Sequence, residues 1–230
     1  MISVVACTNR QAYLPKIFEN FHRQTLVKKE LIIIVNSTVM EVDSVGYQIL
    51  KIPEEVSLGA CLNKGVRLAK YDFVTKMDDD DYYGPEYLKE VYEALVQTDA
   101  DVVGKSSFYI YFKKNNELRL YNPNRENRWV VNNVPYKSAY FLSGATLAFK
   151  KKILDKVSFP NVDVGEDSGF QRLCFESGLK MYSLSKEHYT YLRYTDPLHH
   201  HSDARESLLR RESRFIVHTA SIEKYVNTKK

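Results

Sequence analysis

Short apolar runs early in the chain each end in a cluster of polar residues. Ile2-Ser3-Val4-Val5-Ala6-Cys7 leads into Thr8-Asn9-Arg10, and Leu31-Ile32-Ile33-Ile34-Val35 leads into Asn36-Ser37-Thr38. Tyr71-Asp72-Phe73-Val74-Thr75 leads into Lys76-Met77 and four consecutive aspartates, Asp78 to Asp81. Such runs are expected of strands covered on both faces, as in a parallel sheet. Between them, Leu14, Ile17, Phe18 and Phe21, and then Leu58, Cys61, Leu62, Val66 and Ala69, keep helical spacing. A further strand is expected from Tyr47 to Ile52. The order strand, helix, strand, strand, helix, strand, helix is an α/β alternation and predicts a mainly parallel sheet flanked by helices. Ligands of such sheets bind beyond the carboxyl ends of the strands. All three polar clusters fall there.

Four carboxylates in a row at the end of a buried strand repel one another, so a positive charge is required beside them. A divalent cation held by hard oxygen ligands is the simplest answer, and it can in turn hold a diphosphate. The alternative is a solvated acidic loop before the helix that Pro85 opens.

Later segments extend the same plan. A helix with Leu88, Val91, Tyr92 and Leu95 on one face precedes a strand at Asp101 to Gly104. From Ser107 to Phe141 aromatic residues alternate with Asn, Lys and Arg around a turn at Asn115-Asn116, which reads as a small antiparallel hairpin plus a loop. Trp129 is the candidate there for stacking on a sugar ring. A strand at Leu147 to Phe149, a helix opened by Gly165-Glu166-Asp167-Ser168, and strands near Lys180 to Ser183 and Tyr189 to Tyr194 follow. The last segment predicts a C-terminal helix, with Leu208, Leu209, Phe215, Ile216 and Ile222 on one side and Arg210, Arg211 and Arg214 on the other.

At 230 residues and 44% hydrophobic content, with no linker, the chain predicts a single domain. Its expected parts are residues 1–104, residues 105–200 and a helical tail (201–230). The net charge of +4 is modest and no basic stripe is interleaved with aromatics, so nucleic acid is not an expected partner. Cys7, Cys61 and Cys174 lie far apart in apolar segments, which excludes a disulfide framework or zinc spacing and fits a reducing compartment. With no basic leader and no window as long as a membrane span, a cytoplasmic location is expected. The basic tail is the one route to a peripheral membrane or protein contact, packing on the domain being the commoner outcome for such a helix.

The motifs taken together resemble those of the family 2 inverting glycosyltransferases. Thr8-Asn9-Arg10 with Leu14 and Gln24-Thr25 is similar to that family's opening motif, and Leu58-Gly59-Ala60 with Asn63-Lys64-Gly65 and Ala69 to the helix before its acidic motif. Met77-Asp78-Asp79-Asp80-Asp81 with Pro85 matches the Asp-x-Asp-Asp motif in register. Gly144-Ala145 and Glu166-Asp167 resemble the later acceptor-loop and catalytic-base motifs. The resemblance runs from residue 2 to about 180. Two positions depart from it: Asn36 stands where an Asp usually ends the second strand, and Leu62 where an Arg often precedes the helix Asn. The Gln-x-x-Arg-Trp motif of processive synthases is absent.

The resemblance implies a GT-A, Rossmann-like fold, with its nucleotide-binding half at 1–104 and its acceptor half at 105–200, and metal-dependent transfer of one sugar from a nucleoside-diphosphate sugar, a UDP-sugar first of all. The acceptor would be a hydroxyl of a glycan, a cell-surface polymer or a protein. It places Mn2+ or Mg2+ on Asp80 and Asp78, with His199 or His201 as a further ligand. Thr8, Asn9, Arg10, Asn36, Lys64, Asp78 and Asp79 are the implied nucleotide contacts, Asp79 and Asp81 also shaping the loop. Asp167 is the implied base, with Glu166 raising its proton affinity by like-charge repulsion. From the local sequence alone Asp167 is equally a helix-capping carboxylate. Two other readings are a nucleotide-sugar-binding scaffold of the same fold without catalysis, and a nucleotidyltransferase, which normally carries a Gly-rich phosphate loop that this chain lacks.

Overall fold

A computed structural model of the chain describes residues 1–43, 46–130, 141–196 and 205–228. The first apolar runs form β1 (Ile2–Thr8) and β2 (Lys29–Val35), joined by α1 (Leu14–Arg23). β3 (Gln48–Lys51), α2 (Leu58–Leu68), β4 (Phe73–Lys76), β5 (Tyr82–Tyr83), α3 (Tyr87–Gln97) and β6 (Val102–Gly104) follow. The later chain adds β7 (Phe108–Phe112), β8 (Glu117–Tyr121), β9 (Arg128–Trp129), β10 (Ala148–Lys150), α4 (Glu166–Glu176), β11 (Met181–Ser183) and β12 (Tyr189–Arg193). It ends in α5 (Glu206–Arg211), β13 (Ser213–His218) and α6 (Glu223–Val226).

Eight strands form one mixed sheet in the order β3-β2-β1-β4-β10-β6-β11-β9, with β3, β2, β1 and β4 mutually parallel and β10 antiparallel to both its neighbours. Because side chains alternate faces with period two, β1 sends Ile2, Val4 and Ala6 into one core and Val5 into another. Leu31, Ile33 and Val35 of β2 join the first core, Ile32 and Ile34 the second. α1 and α3 cover the first face through Leu14, Ile17, Phe21, Leu88 and Val91. α2 and α4 cover the second through Cys61, Leu62, Val66, Phe170 and Cys174. The unbroken apolar runs are thus explained by burial on both sides, and all three cysteines are free thiols.

The hairpin β7–β8 belongs to a second, five-stranded sheet, β13-β8-β7-β12-β5. This sheet accounts for much of the tyrosine content. Tyr82, Tyr109 and Tyr111 pack in its own small core, while Tyr83 and Tyr189 face the main one. The nucleotide half expected at 1–104 does not contain the whole sheet, since β9, β10 and β11 complete it from later in the chain.

The long C-terminal helix is not formed. Among the described residues the helix there is confined to Glu206–Arg211 and Glu223–Val226, and Ser213–His218 between them pairs antiparallel with β8, shifting register between Phe215 and Val217. Aromatic and β-branched residues at Phe215, Ile216 and Val217 suit a strand, and β8 offers an unpaired edge, so pairing prevails over helical spacing. Leu209, Ile222 and Val226 are buried against the domain. The amphipathic helix on which a membrane or partner contact was expected is therefore replaced in part by a strand paired to β8. Among the described residues no helix is long and apolar enough to cross a membrane.

Candidate functional site

The ends of β1, β2 and β4, the turn before β10 and the head of α4 open on a single cleft of about 800 Å3. β4 carries the acidic run to its floor, where the four aspartates take four different environments. Asp81 is buried and accepts bonds from the Tyr189 hydroxyl (2.6 Å) and the Leu192 amide (3.0 Å). Burial, then the charges of Asp80 and Asp78, push its carboxyl well above the usual range. These bonds hold the end of the acidic run against β12. Asn20 of α1 holds the same turn, donating to the Asp81 carbonyl (2.9 Å), and Gln24 donates to the Gly84 carbonyl (3.0 Å).

Asp79 lines the cleft with both its oxygens engaged within the protein. It accepts from the Thr8 hydroxyl at 2.5 Å and from Arg10, whose Nε lies 3.2 Å away and whose second guanidinium nitrogen is also bonded to it. These bonds tie the end of β1 to the acidic loop. Arg10 also reaches Asp80 at 3.1 Å and lies 4.3 Å from the centre of the Tyr13 ring. Burial opposes its charge, but the bonds to Asp79 and the charges of Asp79 and Asp80 outweigh burial and raise its pKa.

Asp78 and Asp80 line the cleft as well, Asp80 with Arg10 as a partner. Asp78 has its Oδ1 3.4 Å from Lys76 Nζ. Desolvation, opposed by Lys76, raises its carboxyl to about 6. With 37% of its side chain exposed, solvent screening tempers that push. The Asp80 carbonyl accepts from Lys16 Nζ (2.8 Å) and the Tyr194 hydroxyl (3.0 Å). Among the described residues no three His, Cys, Asp or Glu side chains already form a metal cage. Two carboxylates facing an open cleft nevertheless suit a cation completed by substrate phosphates, the usual mode for Mg2+ in phosphate sites. His199 and His201 lie outside the described residues.

Across the cleft α4 begins at Gly165 and presents Glu166 and Asp167 in its first turn. Glu166 does not press on Asp167 as expected. It is buried with its Oε1 3.0 Å from Lys76 Nζ, so its charge is met by that ammonium. Lys76 is buried too. Desolvation disfavours its charge, but Asp78 and Glu166 prevail and raise its pKa above that of an ordinary lysine. Asp167 is half-buried, its Oδ1 accepting from the Ser168 amide at 2.6 Å. It is the carboxylate left facing the cleft.

Thr8, Asn9, Arg10 and Asn36 all line the cleft as expected. Asn36 Nδ2 donates to the Pro53 carbonyl at 2.7 Å, which leaves its amide oxygen and its second N–H to offer a ligand. Lys64 is exposed on α2 and does not line the cleft, which corrects its assignment. Its neighbour Asn63 clamps the loop before α4 through two bonds with the Phe159 backbone (2.8 and 3.0 Å). Trp129 is also absent from the lining; it packs edge-on against Tyr182 in β11. The aromatic wall is made instead by Phe108, Tyr121, Tyr189 and Tyr191. Lys76 and this wall were missed, although a lysine closing an apolar strand just before four aspartates was a visible signal for the first.

Comparison with known proteins agrees with this geometry. The family model described as "Glycosyl transferase family 2" matches residues 3–158. A curated relative, "Glycosyltransferase GlyA" of Streptococcus pneumoniae serotype 4 (strain ATCC BAA-334 / TIGR4), is 22% identical over 209 residues, covering 82% of this chain and 30% of that protein. The fold is similar to that of S. aureus TarS residues 1–349, at a TM-score of 0.65 and 16% identity, covering 83% of this chain and 60% of that one. It is also similar to glucosyl-3-phosphoglycerate synthase of Mycobacterium tuberculosis, solved with Mn2+, UDP and phosphoglyceric acid, at a TM-score of 0.56 and 15% identity, covering 86% and 72%. The chain thus spans less than a third of the curated relative and about three fifths of the TarS fragment.

Proposed function

Because the chain belongs to glycosyl transferase family 2, we propose that it moves one sugar, with inversion, from a UDP-sugar to an acceptor hydroxyl of a glycan, a cell-surface polymer or a protein. The observation that carries this reading is that Asp78 and Asp80 line the same cleft as Asp167. UDP-GlcNAc in one TarS structure, and Mn2+ with UDP in the mycobacterial synthase, support the donor class and the cation.

Asp80 and Asp78 would hold Mn2+ or Mg2+, which supplies Lewis-acid neutralisation of the departing diphosphate. Arg10 and Thr8 keep Asp79 out of that role and fix the loop. Asn36 offers its amide oxygen to a ring N–H such as that of uracil. Asp167 takes the proton of the acceptor hydroxyl as that oxygen bonds to the anomeric carbon. The bond from that carbon to the diphosphate breaks, its electron pair leaving with UDP.

A thermal-shift screen of UDP, GDP and their sugars with Mn2+ tests this reading. UDP is expected to raise Tm in the wild type. Asp80→Ala is expected to lose at least about 100-fold in Mn2+-dependent UDP affinity, since even outer-shell partners of a metal cost 10–100-fold. Equal binding by the variant would remove Asp80 from the site.

The position of Asp78 also gives a pH dependence. A carboxyl whose folded pKa lies above its unfolded value makes the ligand-free protein less stable as pH rises through that interval. A cation must displace the same proton, so Mn2+–UDP affinity is expected to hold above about pH 6 and to fall below it. Calorimetric titrations on both sides of that value check it, and constant affinity would contradict it.

A further inference from the structure

Donor and base come from distant parts of the chain, yet group transfer tolerates little misplacement, about 1 Å costing roughly 100-fold. Two features of the cleft floor join them. The Tyr83 side chain has no exposed surface. Its hydroxyl accepts from the Asp78 amide (2.8 Å) and donates to the Ala145 carbonyl (2.7 Å). One buried phenol therefore fastens the first residue of the acidic loop to the 3-10 turn Gly144–Thr146.

The second feature is the contact between that turn and Asp167. A Cβ added at Gly144 would lie 1.5 Å from Asp167 Oδ2 and 2.4 Å from its Cγ. Gly144 is not among the glycines with positive φ, which are Gly46, Gly165 and Gly178. Backbone freedom is thus not what requires glycine here; the carboxylate of Asp167 occupies the space a side chain would fill.

We infer that Tyr83 and Gly144 are positioning residues: Asp78 N–H, Tyr83 Oη, the Ala145 carbonyl and the bare Cα of Gly144 form one connected support that sets the Asp167 carboxylate relative to the donor loop. The inference rests on the reading of Asp167 as the base. It adds that the base is located from the donor motif, through the buried phenol of Tyr83 and the bare Cα of Gly144 at the cleft wall.

The test compares Tyr83→Phe, Gly144→Ala, Tyr87→Phe and Asp167→Asn in the full chain. Tyr83→Phe keeps a ring packed 4.9 Å from Tyr87 and 5.3 Å from Tyr189 and removes only the hydroxyl. Tyr87 serves as the comparison because its hydroxyl bonds to the next carbonyl, Thr146 (3.2 Å), and not to the acidic loop. The reaction followed is UDP release from the UDP-sugar that gives the largest thermal shift, with water as acceptor. Turnover is expressed per Mn2+–UDP site counted by calorimetry, so that unfolded protein does not contribute.

Gly144→Ala is expected to lower kcat about 10- to 100-fold while donor KM and Mn2+–UDP affinity stay within about twofold, and Tyr83→Phe, whose hydroxyl also bonds to the Asp78 amide, to lower kcat per Mn2+–UDP site by a similar factor whatever it costs in affinity. Tyr87→Phe is expected to lower Tm and keep kcat per site. Unchanged kcat per site in Tyr83→Phe, with Asp167→Asn inactive, would overturn the inference, as would an equal fall in Tyr87→Phe. Should Gly144→Ala show no UDP site, Tyr83→Phe decides alone. Normal turnover by Asp167→Asn would instead overturn the base assignment, and the inference with it.

Discussion

Asp167→Asn is expected to remove transfer almost entirely, by about 100- to 10,000-fold in kcat, while leaving Mn2+–UDP affinity near that of the wild type. The asparagine amide has the shape of the carboxylate, so it can rest against Gly144 and still accept from the Ser168 amide. What it lacks is the capacity to take a proton. Glu166 cannot stand in, because it is buried and paired with Lys76 at 3.0 Å. Measuring UDP release together with calorimetry separates the two roles. Wild-type turnover would assign the proton to another group, and loss of UDP binding would make Asp167 a donor contact instead.

Lys76→Met is expected to be the most destabilising substitution in the cleft. It strands the buried Glu166 carboxylate and removes the nearest cation from Asp78, 3.0 and 3.4 Å away respectively. Breaking one partner out of a buried ion pair costs about 3–5 kcal/mol, a fall in Tm of roughly 6–20 °C for a domain of this size. The effect should be constant across neutral pH. A lysine whose folded pKa is raised contributes stability that is fully present below its unfolded pKa, and that contribution is lost only as pH climbs through the higher folded value. Adding Glu166→Gln should recover part of the loss, because the stranded charge is then gone. A single variant as stable as the wild type, or a double variant worse than the sum of its parts, would contradict the pairing.

The parallel core was legible because its cause is local to the sequence. Strands such as Leu31 to Val35 must bury both faces, and that requirement is written in consecutive residues. The convergence of Thr8, Asn36 and Asp78 to Asp81 followed from it, since chain ends of neighbouring parallel strands share an edge. The need for positive charge beside the aspartates was also legible, but the protein itself supplies part of it. Lys76 meets Asp78 only two residues away, but Arg10 meets Asp79 across 69 residues of chain and Lys76 meets Glu166 across 90. Pairings at that distance leave no periodic trace.

The tail failed for a related reason. Leu208, Leu209, Phe215, Ile216 and Ile222 fit helical spacing, yet whether β8 would have a free edge to fill depends on the second sheet, which the hairpin segment alone did not reveal. Lys64 was carried over by motif register, and its exposure on α2 reflects which face of that helix meets the sheet. Gly144 was visible as a motif residue, but its physical reason, the carboxylate lying over its Cα, needs the fold to bring residues 144 and 167 together.

The most direct measurement is an anomalous difference map from crystals grown with Mn2+ and UDP. The account predicts a single manganese peak on the Asp80 carboxylate, next to Asp78, bridged to the diphosphate, with the uracil edge at Asn36 and Asp167 facing the open side of the cleft. UDP bound with no manganese at that loop and Asp80 still held by Arg10, or manganese bound elsewhere, would contradict it.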